Sequence, residues 1–553
     1  VPNDPNASNN DAPSNVPGDV RANGSAIDPD DLATTLRVLA SLNQVDEEHE
    51  DFVAVRHATA RMIKAVKQNR RSEKRAAITA ADNAVVAATA TGAADRIDDE
   101  TRGLTLTASS QAATAGTFAK ARPCYICKQK YTVVDAFYHQ LCPTCAATGH
   151  AKREARTDLR GKRALLTGGR AKIGMHIALR LLRDGAHTTI TTRFPRDAVR
   201  RFAAMVDSSD WLHRLTVVGI DLRDPSQVVS LADAVAAQGP LDILINNAAQ
   251  TVRRSPGSYA PLADAESVPV EPNLWPEGRG PAMLTFGHAS DVHPHALEES
   301  VAAHPLLASA HSAEVGRPSV ERQDRAGEAG NEDSASRQAR SADAATASEN
   351  ARRLTSLALA PGSSSLEKLA DGSAIDAGGL VPDLHDVNSW VQAVGNVDAL
   401  ELLEVQLCNS TAPFILINRL RPQMAAAARA SREHGSGRSY VVNVSAMEGV
   451  FARGYKGPGH PHTNMAKAAV NMLTRTSARE MFETDSILMT SVDTGWITDE
   501  RPHPTKVRLA EEGFHAPLDL VDGAARVYDP VVRGEAGEDL FGIFLKDYAP
   551  SAW

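Results

Sequence analysis

The 553 residues are 42% hydrophobic, enough for a sizeable core and, by length, for two to four structural units. A formal net charge of −9 and a sequence pI of about 6.1 exclude a global basic field for nucleic acid, leaving at most a local patch. No apolar run in the sequence reaches bilayer length, so no membrane role is expected.

Residues 1–30, rich in Asn, Asp, Pro and Gly, are expected to be disordered, and they lack the charged-then-apolar order of a signal peptide. From Asp31 the pattern turns helical, with Leu32, Leu36, Leu39 and Leu42 at helical spacing. A second helix is expected from Asp51 into the basic stretch Lys67–Arg75, read as a solvated face. Residues 80–120 are rich in Ala, Thr and Ser and show no clear period; residues 31–121 as a whole are assigned as a helical N-terminal region.

Residues 122–150 form a cysteine module. Cys124 and Cys127 make one C-x-x-C pair, Cys142 and Cys145 a second, with fourteen residues between the pairs. Two such turns aim four thiolates at one tetrahedral point, which suits zinc in a zinc-ribbon-like module. With four sulfur ligands no position stays open for water, so the expected site is structural. Tyr131, Phe137 and Tyr138 are the expected mini-core, and docking to the main domain or to a protein partner is the expected use. Paired cysteines without an export signal favour reduced thiols and a cytoplasmic setting.

Residues 155–553 are expected to form an α/β, doubly wound, parallel-sheet Rossmann domain. "RALLTGG", "HTTITTR", "RLTVVGIDL" and "LDILINNAA" read as strands separated by helical segments. The rhythm stops at about 252–385, read as an insertion with a long polar stretch from Ser312 to Asn350. It resumes at "SWVQAV" and "LLEVQLCNSTAPFILINRL", followed by the strand "SYVVNVSA", the helix "NMAKAAVNMLTRTSARE" and the strand "SILMTSVDTGW".

"TGGRAKIG", Thr167 to Gly174, follows a strand and opens a helix. Its glycines permit a tight turn that lets backbone N–H groups approach a pyrophosphate. Together with the ordered motifs downstream, this stretch resembles the short-chain dehydrogenase/reductase superfamily. Thr167, Gly168 and Gly174 match the family's glycine turn, with Lys172 in place of its middle glycine and Ile173 beside it. Asp221 and Leu222 resemble the adenine-contacting pair. Asn246, Asn247, Ala248 and Ala249 resemble N-N-A-G, Asn409 the relay asparagine, Ser445 the catalytic serine and Lys467 the lysine of Y-x-x-x-K. Gly495, Ile497 and Thr498 fall in a segment that resembles the nicotinamide-binding P-G-x-x-x-T, with Thr494 replacing the proline.

The resemblance implies hydride transfer between a nicotinamide cofactor and a small carbonyl or alcohol substrate, and a homodimer. Arg193 ends the second strand where an acid would select NAD, and Arg170 and Lys172 add positive charge. NADP is therefore expected, with NAD possible. The family tyrosine is missing: Thr463 stands four residues before Lys467. Threonine lacks a phenol of pKa ~10. His460 and His462 sit upstream, and His462 is the expected acid/base candidate; Tyr455 lies on a glycine-rich loop that could close as a lid. The alternative is a catalytically inactive nucleotide-binding protein that uses the zinc module for partner contacts.

Overall fold

The computed structural model describes residues 27–93, 96, 114–271, 274–286, 293–294, 334–360, 363, 365, 367–368, 371, 373–432, 435–497 and 500–553. Most of the expected disordered segment 1–30 lies outside them, as does much of the polar stretch 312–350. The chain divides into two units, Val1–Ala80 and Ala81–Trp553. The first holds α1 (Pro29–Ser41), capped by the Asp28 carboxylate on the Asp30 and Asp31 amides, and most of α2 (Glu50–Ala87). Leu32, Leu36 and Leu39 on α1 are exposed.

The second unit opens with the cysteine module. Strands β1 (Thr114–Pro123) and β2 (Lys130–Asp135) pair antiparallel, and α3 (Pro143–Glu154) follows. Among the described residues α2 ends at Ala87, and a strand already runs from Thr114, inside the stretch assigned as helical: β-branched and glycine residues at 114–117 pair with Val133–Asp135. Phe118, Tyr131, Phe137 and Tyr138 are buried together as the expected mini-core.

The main sheet has nine strands. In chain order they are β3 (Arg163–Leu166), β4 (His187–Thr192), β5 (Leu215–Gly219), β6 (Ile243–Asn246), β7 (Ala282–Thr285), β8 (Ser439–Ser445), β9 (Ile487–Asp493), β10 (Phe544–Lys546) and β11 (Ala549–Ser551). Their order across the sheet is β11-β10-β9-β8-β6-β3-β4-β5-β7, parallel except for the last hairpin strand, β11. The insertion is therefore not confined to a surface loop, because β7 extends the sheet edge beside β5.

Helices cover both faces: α4 (Lys172–Arg183), α5 (Pro195–Ala203), α6 (Pro225–Ala237), α7 (Pro256–Ser267), α8 (Ser334–Leu359), α9 (Ala399–Gln406), α10 (Ala412–Ala430), α11 (Pro461–Asp485), α12 (His503–Glu511) and α13 (Leu520–Glu535). Strand periodicity explains the double winding. Leu166, Val217, Ile245 and Val442 enter one core with α4 and α13, while their neighbours Leu165, Val218, Leu244 and Val441 enter the other with α6 and α10. Each fully buried Val, Leu or Ile contributes roughly 1.5–3 kcal/mol. "SWVQAV" forms turns and no helix. The stretch Ala399–Ala430 is, by length and composition, apolar enough to cross a membrane, an exception to the sequence reading; its inner face packs in the second core.

Candidate functional site

Reversal of strand order between β3 and β6 opens a crevice at the carboxyl ends of the strands, where nucleotides bind in such sheets. Residues 167–174 form the turn from β3 into α4. Thr167 Oγ1 accepts from the amides of Asn247 and Ala248, both at 3.0 Å. The Asn247 side chain donates to the carbonyls of Thr167 and Gly168 at 3.0 and 3.1 Å, so the N-N-A-A segment braces the glycine turn. Gly168 has φ +70°, and a Cβ on Gly174 would lie 1.9 Å from the Gly168 oxygen. Lys172 also sits in the left-handed region, at φ 53°, which explains why glycine is the unstrained residue there. Ile173 and Ile497 meet over Gly523, whose added Cβ would stand 2.3 Å from Ile497 Cδ1.

Two of the three cations expected to meet a cofactor phosphate already have acidic partners. Arg170 donates to Asp197 at 2.5 Å and to the Gly378 oxygen at 2.8 Å. Lys172 pairs with Asp376 at 3.6 Å. Burial alone would raise the Asp376 pKa, but Lys172 and Arg254 hold it down to about 2. Arg170 and Lys172 are thus not loose surface charges: Asp197 of α5 neutralises the first, and Asp376 of the 252–385 insertion the second. Arg193 is exposed at the end of β4, its guanidinium over the rings of Phe194 and Tyr259. Asp221 accepts from Arg223 at 2.6 Å and contacts His293 at 3.2 Å, and Leu222 beside it is buried.

The expected catalytic residues converge around the end of β8. Asn409 lies in a π-helical turn between α9 and α10, a register change that turns it inward. It accepts from the Gln250 amide at 2.7 Å and donates to the Gln250 oxygen at 2.8 Å. Ser445 ends β8, and Lys467 Nζ donates to the oxygen of the preceding Val444 at 2.9 Å. Burial pulls the Lys467 pKa down to about 8, against the opposing pull of Cys408 and Glu448. Thr463 is buried one turn before Lys467, and among the described residues neither its hydroxyl nor that of Ser445 has a hydrogen-bond partner. His462 is also buried, and burial depresses its pKa below that of a free imidazole. His460 stacks on Trp390 at 4.0 Å, an ordered helix-entry contact. Tyr455 is 78% exposed and does not cover the site. Thr498 lies outside the described residues.

Sequence reasoning missed three contributors. Gln250 holds Asn409. Asp493, at the end of β9, is buried until its pKa reaches about 6 and accepts from the Gly495 amide at 3.1 Å. Tyr125, inside the first C-x-x-C, accepts from the Trp496 amide at 3.1 Å, linking the module to the nicotinamide-side loop. No sequence spacing connects positions 125 and 496; Gln250 alone had a signal, by following N-N-A-A. A cleft of about 460 Å³ is lined by Arg253, Arg254, Ser389, Glu500, His503 and Lys506 among others; Asn409, Ser445, Thr463 and Lys467 are not among its lining residues.

The module docks through buried polar contacts. The Tyr138 hydroxyl donates to Asp522 at 2.6 Å, Arg153 pairs with Asp519 at 2.5 Å and Asp522 at 3.2 Å, and Lys152 with Asp529 at 2.5 Å. The four cysteine sulfurs lie within 4.8 Å of one another, Cys127 and Cys142 at 3.6 Å, too far for a disulfide.

Residues 162–268 match the family model described as short chain dehydrogenase. An uncharacterized protein of Acanthamoeba polyphaga mimivirus is 28% identical over 431 residues, 74% of this chain and 71% of that protein. A probable oxidoreductase of Streptomyces antibioticus is 40% identical over 94 residues, 16% of this chain and only 30% of its own length. The carbonyl reductase Sniffer of D. melanogaster superposes with a TM-score of 0.39 at 15% identity, over 71% of this chain and all of that structure.

Proposed function

From the premise that the α/β core of this chain is of the short-chain dehydrogenase/reductase type, we propose that the protein is an NADP(H)-dependent oxidoreductase acting on a carbonyl/alcohol pair with an atypical proton donor. The observation that carries this reading is the buried cluster of Ser445, Thr463 and Lys467 at the carboxyl end of β8, beside Asn409. A buried polar cluster of this kind suits a polarised oxygen, because buried hydroxyls otherwise find partners.

The residues present fit a dinucleotide. The small residues of the glycine turn let α4's first amides face a pyrophosphate, with Thr167 and Asn247 fixing the loop. Asp221, Leu222, Ala248 and Ala249 would flank the adenine and ribose, and Lys467 the nicotinamide ribose. Gly495 and Ile497 would border the ring. Arg193, the exposed cation of the three, would meet a 2′-phosphate. Bound NADPH supplies the hydride; the chain's own groups orient the substrate oxygen and move its proton. Ser445 donates to that oxygen, and Asn409 and Gln250 keep the π turn rigid beneath it.

The four cysteines fit zinc. A tetrahedron of Zn–S bonds of about 2.3 Å sets sulfurs roughly 3.8 Å apart; the sulfurs here all lie within 4.8 Å of one another, Cys127 and Cys142 at 3.6 Å. The Cys142 amide donates to Cys124 Sγ at 3.3 Å, as an outer-shell bond to a thiolate would. The metal would hold the module that carries Tyr125.

The deciding experiment measures NADPH and NADH binding to the purified chain, then single-turnover NADPH oxidation with a carbonyl panel. Preferred NADPH binding with turnover is the expected result. Tight binding with no turnover on any carbonyl favours the non-catalytic alternative.

A further inference from the structure

We propose that the ε-ammonium of Lys467 is itself the proton donor to the substrate oxygen, in the place a phenol at position 463 would fill; this rests on the oxidoreductase reading above.

The geometry singles out this group. Lys467 is only 7% exposed, and its one hydrogen bond among the described residues goes to the Val444 oxygen at 2.9 Å. An ammonium has three N–H donors, so two are left for an incoming acceptor. Two further polar groups beside it are buried without partners among the described residues, the hydroxyls of Ser445 and Thr463. Val444 ties Nζ to the residue that precedes Ser445, so donor and serine are fixed to one strand end. A lysine kept only for charge would be expected to have a carboxylate against it. No ion pair to Lys467 exists among the described residues. The titratable groups acting on it are Cys408 from the π turn and Glu448 from the turn after β8.

The rivals are less suited to donate. Threonine's hydroxyl does not ionise near neutral pH, and burial lowers the His462 pKa below that of a free imidazole, disfavouring its charged form. Lys467, lowered to about 8, is protonated at neutral pH yet able to release the proton, the balance a general acid needs.

In the reductive direction the carbonyl carbon gains the hydride and its π electrons move to oxygen. The Nζ–H bond breaks and an O–H bond forms, leaving Nζ a neutral amine with its lone pair. Water returns a proton to the amine after the alcohol leaves. Because the charged form is the donor, reduction falls as pH rises through about 8, and alcohol oxidation rises through the same range.

The test uses the full chain. Nitrogen-15 NMR of the Lys467 ammonium in cofactor-free protein should give a midpoint near 8. Lys467→Arg keeps the cation but cannot release a proton near neutrality. Measured at saturating NADPH, so that any change in cofactor affinity is removed, its reduction rate should fall ~10²–10⁴-fold, the range for a lost general acid. The pH limb near 8 should vanish with it. A midpoint above 10, or a Lys467→Arg enzyme that keeps both rate and pH limb, overturns the assignment while leaving the oxidoreductase reading intact. NADPH binding with no turnover by the parent chain overturns both.

Discussion

The seam between the cysteine module and α13 and the cluster at the end of β8 are both buried and both polar, yet they are built on opposite principles. At the seam almost every charge is matched: Arg153 lies between Asp519 and Asp522, Lys152 meets Asp529, and Tyr138 donates to Asp522. At the end of β8, among the described residues, Ser445 and Thr463 have no partner and Lys467 has only a carbonyl. A matched network fixes one arrangement, whereas an unmatched one raises the free energy of the empty site and lowers it again when a polar ligand enters. The seam therefore reads as architecture and the cluster as chemistry.

Removing the metal should break that contrast most severely. Structural zinc typically contributes about 10–16 kcal/mol of apparent binding free energy in small modules. Chelation of the purified protein, or Cys124→Ser with Cys142→Ser, should unfold residues 114–154 and expose α13's acids. Hydrogen exchange should show protection lost across β1, β2 and α3. An unchanged exchange pattern in metal-free protein would mean that packing alone holds the module.

Next in size is Arg153→Leu. It leaves Asp519 and Asp522 buried without their shared cation, a loss of about 3–5 kcal/mol for a broken buried pair. Calorimetry should show a lower Tm whose deficit shrinks at acid pH. Burial and the neighbouring Asp519 already raise the Asp522 pKa, so protonation of the freed carboxylates relieves the penalty as pH falls.

The cluster should respond in the reverse sense. Thr463→Val replaces an unpartnered hydroxyl with a methyl of similar size, so stability should rise by roughly 1 kcal/mol, since a buried unsatisfied polar group costs about 1–3. NADPH oxidation should fall where the hydroxyl helps hold substrate. A variant both less stable and fully active would show that Thr463 is an ordinary core residue.

How much of this contrast was legible in the sequence differs between its two sides. Motifs whose chemistry is local came through. The glycine turn needs small residues in a left-handed bend, and Gly168 adopts it. The C-x-x-C pairs bring four sulfurs together by turn geometry alone. Ser445 and Lys467 follow from family register and do lie at one strand end. What stayed hidden depends on contacts between distant segments. Arg170 and Lys172 looked like open cations because their partners are distant in sequence: Asp197 reaches Arg170 from α5, while Asp376 and Gly378 come from the insertion. The β1 strand was hidden in an Ala- and Thr-rich stretch whose pairing partner, β2, fixes its conformation. Strand β7 was lost inside the insertion, since a four-residue edge strand exposed on both faces carries no hydrophobic alternation.

The smallest effect is the most diagnostic, because it tests whether seam and cluster communicate. Tyr125 belongs to the module, and its hydroxyl accepts the Trp496 amide proton at 3.1 Å. Burial, with Asp547 and Asp493 nearby, pushes the phenol up to about 12, so it stays a neutral acceptor across the working pH range. Tyr125→Phe keeps the ring and removes one bond, a loss of about 0.5–1.5 kcal/mol. If the loop from Gly495 to Ile497 borders the nicotinamide, that loss should weaken NADPH binding ~2–10-fold, the equivalent of the same free energy. Zinc content and module exchange protection should stay unchanged, because the four sulfurs are untouched. Fluorescence titration of NADPH reads the first and metal analysis the second. Equal affinity in parent and variant would separate the two regions: the module would then support α13 alone, and the loop would hold its position without it.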